Sequence, residues 1–553
     1  MIKRVIFILS LTFFAGSFIF AQTAPPKDWF HLNKSDGKYQ GVSTKQLYQE
    51  ILKGRVGQQV VVAVIDSGVD YEHEDLDDVM WVNEDEIPNN GKDDDNNGYI
   101  DDIHGWNYLG NASGENTAHA KTELMRLFVE YDKQFKDVDE SSLSKSDKER
   151  YQQYLSFQET IEQKKAEAAE NAFLYKTIGR AAERLEQAIG KDEISMEDLQ
   201  NFKSDNPLLS QVSLMLVDIM KDMGGSFEEI KDGLLDGAES FENTLAYYYN
   251  PEFNPREVIG DNPEDYDQMG YGNNDVRGPD SDHGTHVAGI IAAERDNGLG
   301  IEGVANNVRI MSLRAVPDGD ERDKDVALAI KYAVDNGAQV INMSFGKDYS
   351  PGKSAVDEAV KYALKNDVLL VHAAGNDNKE IFTKNNFPND EFLKKGLFGP
   401  RYADNWVEVG ANSWKSGEDL AAEFSNYSAE HVDIFAPGVA IYSAEPGNEY
   451  QNHQGTSMAG PVVAGVAALV RSYFPDLTAK QVKEVLMQSA VVQNVMVKRP
   501  GAEEGDALVP FKRLSVSGGV VDAVKAFEVA RSMKGKNRKK ADLRKEIWND
   551  INP

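Results

Sequence analysis

Cysteine is absent from all 553 residues, which excludes disulfides, thiolate metal sites, a thiol nucleophile and a lipid carried on an N-terminal cysteine. Net positive charge is lacking too: 59 Lys and Arg against 91 Asp and Glu give a formal net charge of -32 at pH 7, which would repel a phosphate backbone across most of the surface and argues against nucleic acid as a partner. Long apolar runs are missing except at the start. There Lys3 and Arg4 precede the apolar stretch Val5 to Phe20, which ends at the small residue Ala21. This is the pattern of a secretory signal, and it is short for a spanning helix. The expectation is export to the periplasm or the medium, with no integral membrane anchor after cleavage. An exported chain without disulfides must rely on core burial or on bound cations, so calcium is the cofactor to look for.

What is present is the composition of a soluble globular protein, 41% hydrophobic and 27% charged. Short apolar runs at Val60 to Ile65, Val308 to Val316, Gln339 to Met343, Val368 to Ala373 and Trp406 to Gly410 read as buried parallel strands. Asp325 to Asn336 and Ser354 to Lys365 carry apolar residues at three- and four-residue spacing and read as helices between them. Strand, helix and strand alternate as in a layered α/β domain.

From about 113 to 250 that alternation stops and long Glu-, Lys-, Ala- and Leu-rich runs take over. Leu124, Leu127, Phe128, Tyr131 and Phe135 would share one helix face, as would Leu174, Ile178, Ala181, Leu185 and Ile189, while Val212, Leu216 and Ile219 suggest a third helix. Gly224 and Gly225 offer a break between two helices. Such faces need partners, so the segment is a subdomain packed on itself or an arm lying on the core. The basic run from Lys534 to Lys545 reads as a solvated tail.

Three motifs carry chemistry. Val62-Ala63-Val64-Ile65-Asp66-Ser67-Gly68 puts a carboxylate at a strand's carboxyl end, where sites form in open α/β sheets, although such an Asp also caps turns. Asp282-His283-Gly284-Thr285-His286-Val287-Ala288-Gly289 opens a helix with a histidine; the two histidines could pair on a metal, but no acidic ligand follows at zincin spacing. Gly455-Thr456-Ser457-Met458-Ala459-Gly460-Pro461 places a serine at a Gly-flanked helix start, where free backbone donors suit an oxyanion.

As a set, DSG, HGTHVAG and GTSMAGP in the chain order Asp, His, Ser resemble the subtilisin-like serine proteases. The resemblance covers roughly 55 to 111 and 260 to 530. It implies a three-layer, doubly wound, mostly parallel α/β fold with a large helical insertion, and a secreted serine endopeptidase acting on polypeptides. It assigns Ser457 as nucleophile, His283 as base and Asp66 as the group that orients the imidazole. His286 becomes a structural partner. Ala373-Ala374-Gly375-Asn376 is similar to the family's oxyanion segment, with Asn376 as side-chain donor. Ser344, Phe345 and Gly346 are similar to the edge that pairs with substrate backbone. Phe424 to Ser428 and Asp433 to Gly438 keep the same register. The implied organisation is a signal peptide at 1–21, an N-terminal extension at 22–54, catalytic parts at 55–112 and 260–530, a helical insertion at 113–259 and a basic tail at 531–553.

Two departures stand out. Asp66 and His283 lie 217 residues apart, where the family pattern keeps them close. The stretch between Ala21 and Asp66 is also short for the folded propeptide common in the family. Within Asp93 to Asp102, oxygen-bearing residues recur at calcium-loop spacing with Gly98 at the sixth position. Asp93, Asp95, Asn97, the Tyr99 carbonyl and Asp101 or Asp102 are the expected ligands; the alternative is an acidic surface turn. A second candidate joins Asp75 to the Asp296-Asn297-Gly298 turn, again against a plain turn. The function opposed to the protease is a catalytically silent protease-fold binding protein. An esterase is disfavoured by the order of the triad.

Overall fold

A computed structural model describes residues 25–33, 39–191, 193–223, 226–394 and 399–549. The expected signal peptide and the Gly224-Gly225 break lie outside them. The strands in chain order are β1 (Val60–Asp66), β2 (Gly105–Asn107), β3 (Val308–Arg314), β4 (Val340–Met343), β5 (Leu369–Ala373), β6 (Trp406–Asn412), β7 (Ile434–Pro437), β8 (Ile441–Glu445), β9 (Glu449–His453), β10 (Val491–Val492), β11 (Met496–Val497), β12 (Val509–Pro510) and β13 (Gly519–Val520). A 9-stranded sheet runs β10-β13-β7-β6-β5-β4-β1-β3-β2. Its pairs are parallel except β10 with β13.

The insertion supplies α1 (Glu123–Phe135), α2 (Lys145–Ile189), α3 (Met196–Asn201), α4 (Pro207–Met223) and α5 (Phe227–Asn243). The long α2 is capped at its start by Ser144, whose side chain accepts from the Asp147 amide, and it stops at Gly190 in the left-handed region. Its distal half packs with α3, α4 and α5 around Ile178, Leu185, Leu199, Leu216 and Phe227, a core of its own. Its proximal half meets α1 through Leu124, Met125, Phe157 and Ile161, with Tyr349 of the sheet domain against them. The insertion is thus both a self-packed subdomain and an arm seated on the core.

The sheet is covered on both faces. Over one lie α6 (Asp282–Ala292), α9 (Thr456–Tyr473), α10 (Ala479–Ser489) and α11 (Ala523–Ser532); over the other lie α7 (Asp323–Asp335) and α8 (Lys353–Lys365). Period-two alternation divides β1 between these cores: Val60, Val62 and Val64 face the first, Ala63 and Ile65 the second. Each fully buried branched side chain contributes roughly 1.5 to 3 kcal/mol. Strands buried on both faces explain the unbroken apolar runs in the sequence. The result is a three-layer, mostly parallel α/β fold.

Two terminal segments differ from what their composition suggests. Trp29, Phe30, Val42, Leu47 and Leu52 of the N-terminal extension are buried in the first core, and the Trp29 indole donates to the Ala440 carbonyl at 2.9 Å. The basic C-terminal run is no free tail. It forms α12 (Ala541–Asn549), on which Trp548 stacks against Phe474 with ring centroids 5.2 Å apart. Arg544 pairs with Asp476 at 3.2 Å and donates to the Ala530, Arg531 and Met533 carbonyls. A count of charges misses this because Arg544, Ile547 and Trp548 anchor the helix to the core.

Candidate active site

The strand order reverses between β1 and β4, the place where parallel α/β sheets open a crevice at their carboxyl ends. Asp66 ends β1, Ser344 follows β4 and Asn376 follows β5, so three neighbouring strands deliver three candidate residues to one edge. His283 Nδ1 lies 2.6 Å from Asp66 Oδ1, which also accepts from the Ser67 amide at 2.8 Å. Asp66 is buried, and its other oxygen makes no hydrogen bond. Burial opposes the charged imidazole, but the Asp66 carboxylate outweighs it and raises the His283 pKa above 6.5. The approach depends on glycine: a Cβ on Gly284 would meet the Gly68 carbonyl oxygen at 2.0 Å, and one on Gly68, at φ +126, would meet the Arg277 carbonyl at 2.2 Å.

Ser457 is the second residue of α9. Its hydroxyl donates to the Ser344 carbonyl at 3.2 Å. Asn376 is oriented by its own acceptor: Oδ1 takes the Thr456 amide at 2.8 Å and the Thr456 hydroxyl at 3.0 Å, which turns the Nδ2 donors the other way. They turn toward Ser457. A Cβ on Gly455 would lie 3.4 Å from Asn376 Nδ2, 3.5 Å from the Ser457 amide nitrogen and 3.7 Å from Ser457 Cβ, so two N–H donors border one small space beside the hydroxyl. Asn426, in the Phe424 to Ser428 stretch, pins the loop by accepting from the Asp377 and Lys379 amides, both at 3.1 Å, and donating to the Ala374 carbonyl at 2.8 Å. Thr456 and Asn426 are positioning residues that the motifs contained but did not announce.

Ser344, Phe345 and Gly346 run on from β4 along the same edge. Ser344 Oγ donates to the Ser457 carbonyl at 2.9 Å, and Asn342 Nδ2 donates to Ser344 Oγ at 2.9 Å. The next residue, Lys347, is buried and ties this edge to the insertion, with Nζ 3.0 Å from Glu123 of α1 and 3.1 Å from Asp323 of α7. Glu123 also pairs with Arg126 at 2.7 Å. Burial alone would raise the Glu123 pKa, but Lys347 and Arg126 hold it down at about 2. Nothing in the sequence pairs Glu123 with Lys347, since 224 residues separate them.

The Asp93 to Asp102 loop brings only part of its expected ligand set together. Carboxylate oxygens of Asp95, Asp102 and Glu86 lie within 4.8 Å of one another. Asp93 instead accepts from the Asn97 and Gly98 amides, and Asp101 turns both oxygens to the Asn90 and Gly91 amides. The Tyr99 ring packs against Trp106 and Tyr332. Asn83 and Asn97 each donate their Nδ2 to both Asp95 and Asp102 at 2.9 to 3.1 Å. Burial pushes the Asp102 carboxyl up to about 6. Glu86 was invisible to loop spacing because it precedes the loop. At the second candidate, Asp75 accepts from Asn297 Nδ2 at 2.8 Å and from the Ile301 amide at 3.2 Å.

Together these features define a mostly parallel α/β protein with a hydrogen-bonded Asp–His pair, a serine at a helix start and two N–H donors along one sheet edge. The chain belongs to the subtilase family, whose model (Peptidase S8) matches residues 57–511. It is 40% identical over 235 residues to a thermophilic serine proteinase of Bacillus sp. (strain AK1), covering 42% of this chain and 51% of that protein. It is 37% identical over 209 residues to subtilisin DY of Bacillus licheniformis, covering 38% of this chain and 70% of that protein. The chain thus spans about half the length of the first relative. Among solved structures, a protease from Pseudoalteromonas arctica PAMC 21717 aligns with 28% identity and a TM-score of 0.37, over 48% of this chain and 80% of that one.

Proposed function

We propose that the chain is an exported serine endopeptidase that cleaves polypeptides through an acyl-enzyme. The observation that carries this reading is the small space beside the Ser457 hydroxyl, bordered by Asn376 Nδ2 and the Ser457 amide. Two fixed donors there match a developing oxyanion. Ser457 Oγ, released from the Ser344 carbonyl by rotation about χ1, attacks the scissile carbonyl while its proton passes to His283. The carbonyl oxygen becomes the oxyanion held by the two donors, and His283 returns the proton to the leaving amine as the C–N bond breaks. Water repeats the sequence to release the acid. Asp66 fixes the Nδ1–H tautomer and stabilises the imidazolium.

The edge at Ser344, Phe345 and Gly346 receives the substrate backbone as an added strand, which recognises an extended peptide without dictating its sequence. The intact Asp–His pair and oriented Asn376 weigh against a silent binding protein. Export is supported by the basic and apolar start of the chain.

A calcium ion belongs at Glu86, Asp95 and Asp102. Those three carboxylates would hold the ion, and the Asn83 and Asn97 side chains, each donating to Asp95 and Asp102, would keep two of them in place. Bound calcium neutralises the clustered carboxylates and stabilises the folded state.

The test is hydrolysis of a denatured protein mixture and of a matched peptide amide and simple ester, by the wild-type chain and Ser457→Ala. Cleavage of protein and amide, lost in the variant, is expected. Turnover of the ester alone would overturn the endopeptidase reading.

A further inference from the structure

Beside the described site, and apart from it, one hairpin and one helix enclose a second cluster. His286 sits one turn along α6 from His283, and the cross-strand face of β8 and β9 that carries Ser443, Glu445, Gln451 and His453 lies against that helix. Ser443 Oγ donates to the His286 carbonyl at 2.8 Å. The approach is close because residue 289 is glycine; a Cβ there would fall 2.4 Å from Ser443 Oγ. Ligand atoms of His286, Glu445 and His453 all lie within 4.8 Å of one another.

Two polar atoms of the cluster lack a well-formed hydrogen bond. His286 is fully buried, and its Nε2 lies 3.1 Å from the Gln451 carbonyl, which makes Nε2 the protonated nitrogen. Its Nδ1 therefore carries a lone pair, and it makes no hydrogen bond. Glu445 is 8% exposed, and its Oε1, 2.9 Å from His453 Nε2, makes no hydrogen bond of good geometry. A buried imidazole nitrogen with no partner, close to a buried carboxylate whose near neighbour is His453, is a costly arrangement unless a cation sits among them.

We propose that His286 Nδ1, Glu445 and His453 form a binding site for a transition-metal dication of the zinc type, one helical turn from His283. Two imidazoles and one carboxylate make a three-ligand set that leaves a fourth position for water. Imidazole nitrogen selects such a metal over calcium, which prefers an all-oxygen shell. The His286 and His453 rings are now stacked, 4.2 Å between centroids and 10° between planes. A metal in the plane of both requires His453, the partly exposed member, to swing about its side-chain torsions while His286 stays fixed.

The experiment uses the full chain carrying Ser457→Ala, which prevents self-cleavage, with excess calcium present to fill hard-cation sites. Zinc chloride is titrated by calorimetry, and cobalt(II) is followed by its visible absorption. One zinc per chain is expected, with an intense tetrahedral cobalt band. Adding Glu445→Gln or His453→Phe should each weaken zinc roughly tenfold or more, while Asp95→Asn in the acidic loop should leave it unchanged. Circular dichroism without metal verifies that both variants fold. No zinc binding to the parent, or unchanged affinity in either folded variant, overturns the proposal, whatever the chain's hydrolytic activity.

Discussion

Ser457, His283 and Asn376 owe their geometry to neighbouring atoms outside the proposed reaction. Asn376 keeps its amide nitrogen toward Ser457 only because Thr456 occupies its oxygen. Asn376→Ala is therefore expected to lower kcat about 10²- to 10³-fold with little change in KM, read from steady-state hydrolysis of a peptide amide. An equal effect on KM alone would move the residue from transition-state stabilisation to ground-state binding. The pH profile follows from the Asp66 pairing. His283 acts as a base only when neutral, and its pKa is raised above 6.5, so kcat/KM should fall as the pH drops through a value above 6.5. A midpoint below 6.5 would contradict the pairing. At this scale the candidates were legible: Asp66, His283, Asn376 and Ser457 each stood in a motif, and the structure pairs the first two. Thr456 and Asn426 were less so, since their roles depend on which oxygen faces which amide. Glu445 and His453 belonged to no motif, because only the hairpin register and the glycine at 289 bring them to His286.

Among the elements, α1 matters most for how the insertion meets the core. Its first residue, Glu123, is buried against Lys347, directly after the Ser344 to Gly346 edge. Breaking a buried pair leaves a charge uncompensated, at a cost of about 3 to 5 kcal/mol. Glu123→Gln should lower the thermal midpoint and also raise KM for large protein substrates more than for a short peptide; an unchanged midpoint would remove Glu123 as the anchor. Its folded pKa of about 2 lies below the usual 4.5. Its contribution is thus fully present above pH 4.5 and is lost as the pH falls toward 2. Acid unfolding of the wild type and Glu123→Gln should therefore converge at low pH. Helix-rich composition and three amphipathic faces were readable in the insertion, and Leu124, Ile178 and Leu216 are indeed core residues of it. Its seat on the sheet domain was not, because ion pairs across 224 residues leave no local pattern.

For the whole molecule, the absence of cysteine leaves stability to the two sheet-facing cores, and the calcium proposed at Glu86, Asp95 and Asp102 would add to it. Calcium should raise the thermal midpoint of the full chain, and chelation should lower it. Asp95→Asn should blunt both responses; a midpoint indifferent to calcium would make the loop a plain acidic turn. The layered α/β architecture was legible because strands buried on both faces spell continuous apolar runs. The short strands β2, β10 and β13 were not, being two or three residues long and defined by their neighbours. The docked termini escaped notice for a related reason: their anchors, Trp29, Phe30, Val42 and Leu47 at one end and Ile547 and Trp548 at the other, follow no regular spacing in segments rich in polar residues.

The central claim is that Ser457 is an activated nucleophile, and a fluorophosphonate probe addresses it directly. Incubation of the folded, calcium-replete chain with the probe, followed by peptide mass spectrometry, should place one adduct on Ser457, with labelling lost in His283→Ala and on unfolding. An unlabelled Ser457, or labelling that survives His283→Ala at the same rate, would contradict it.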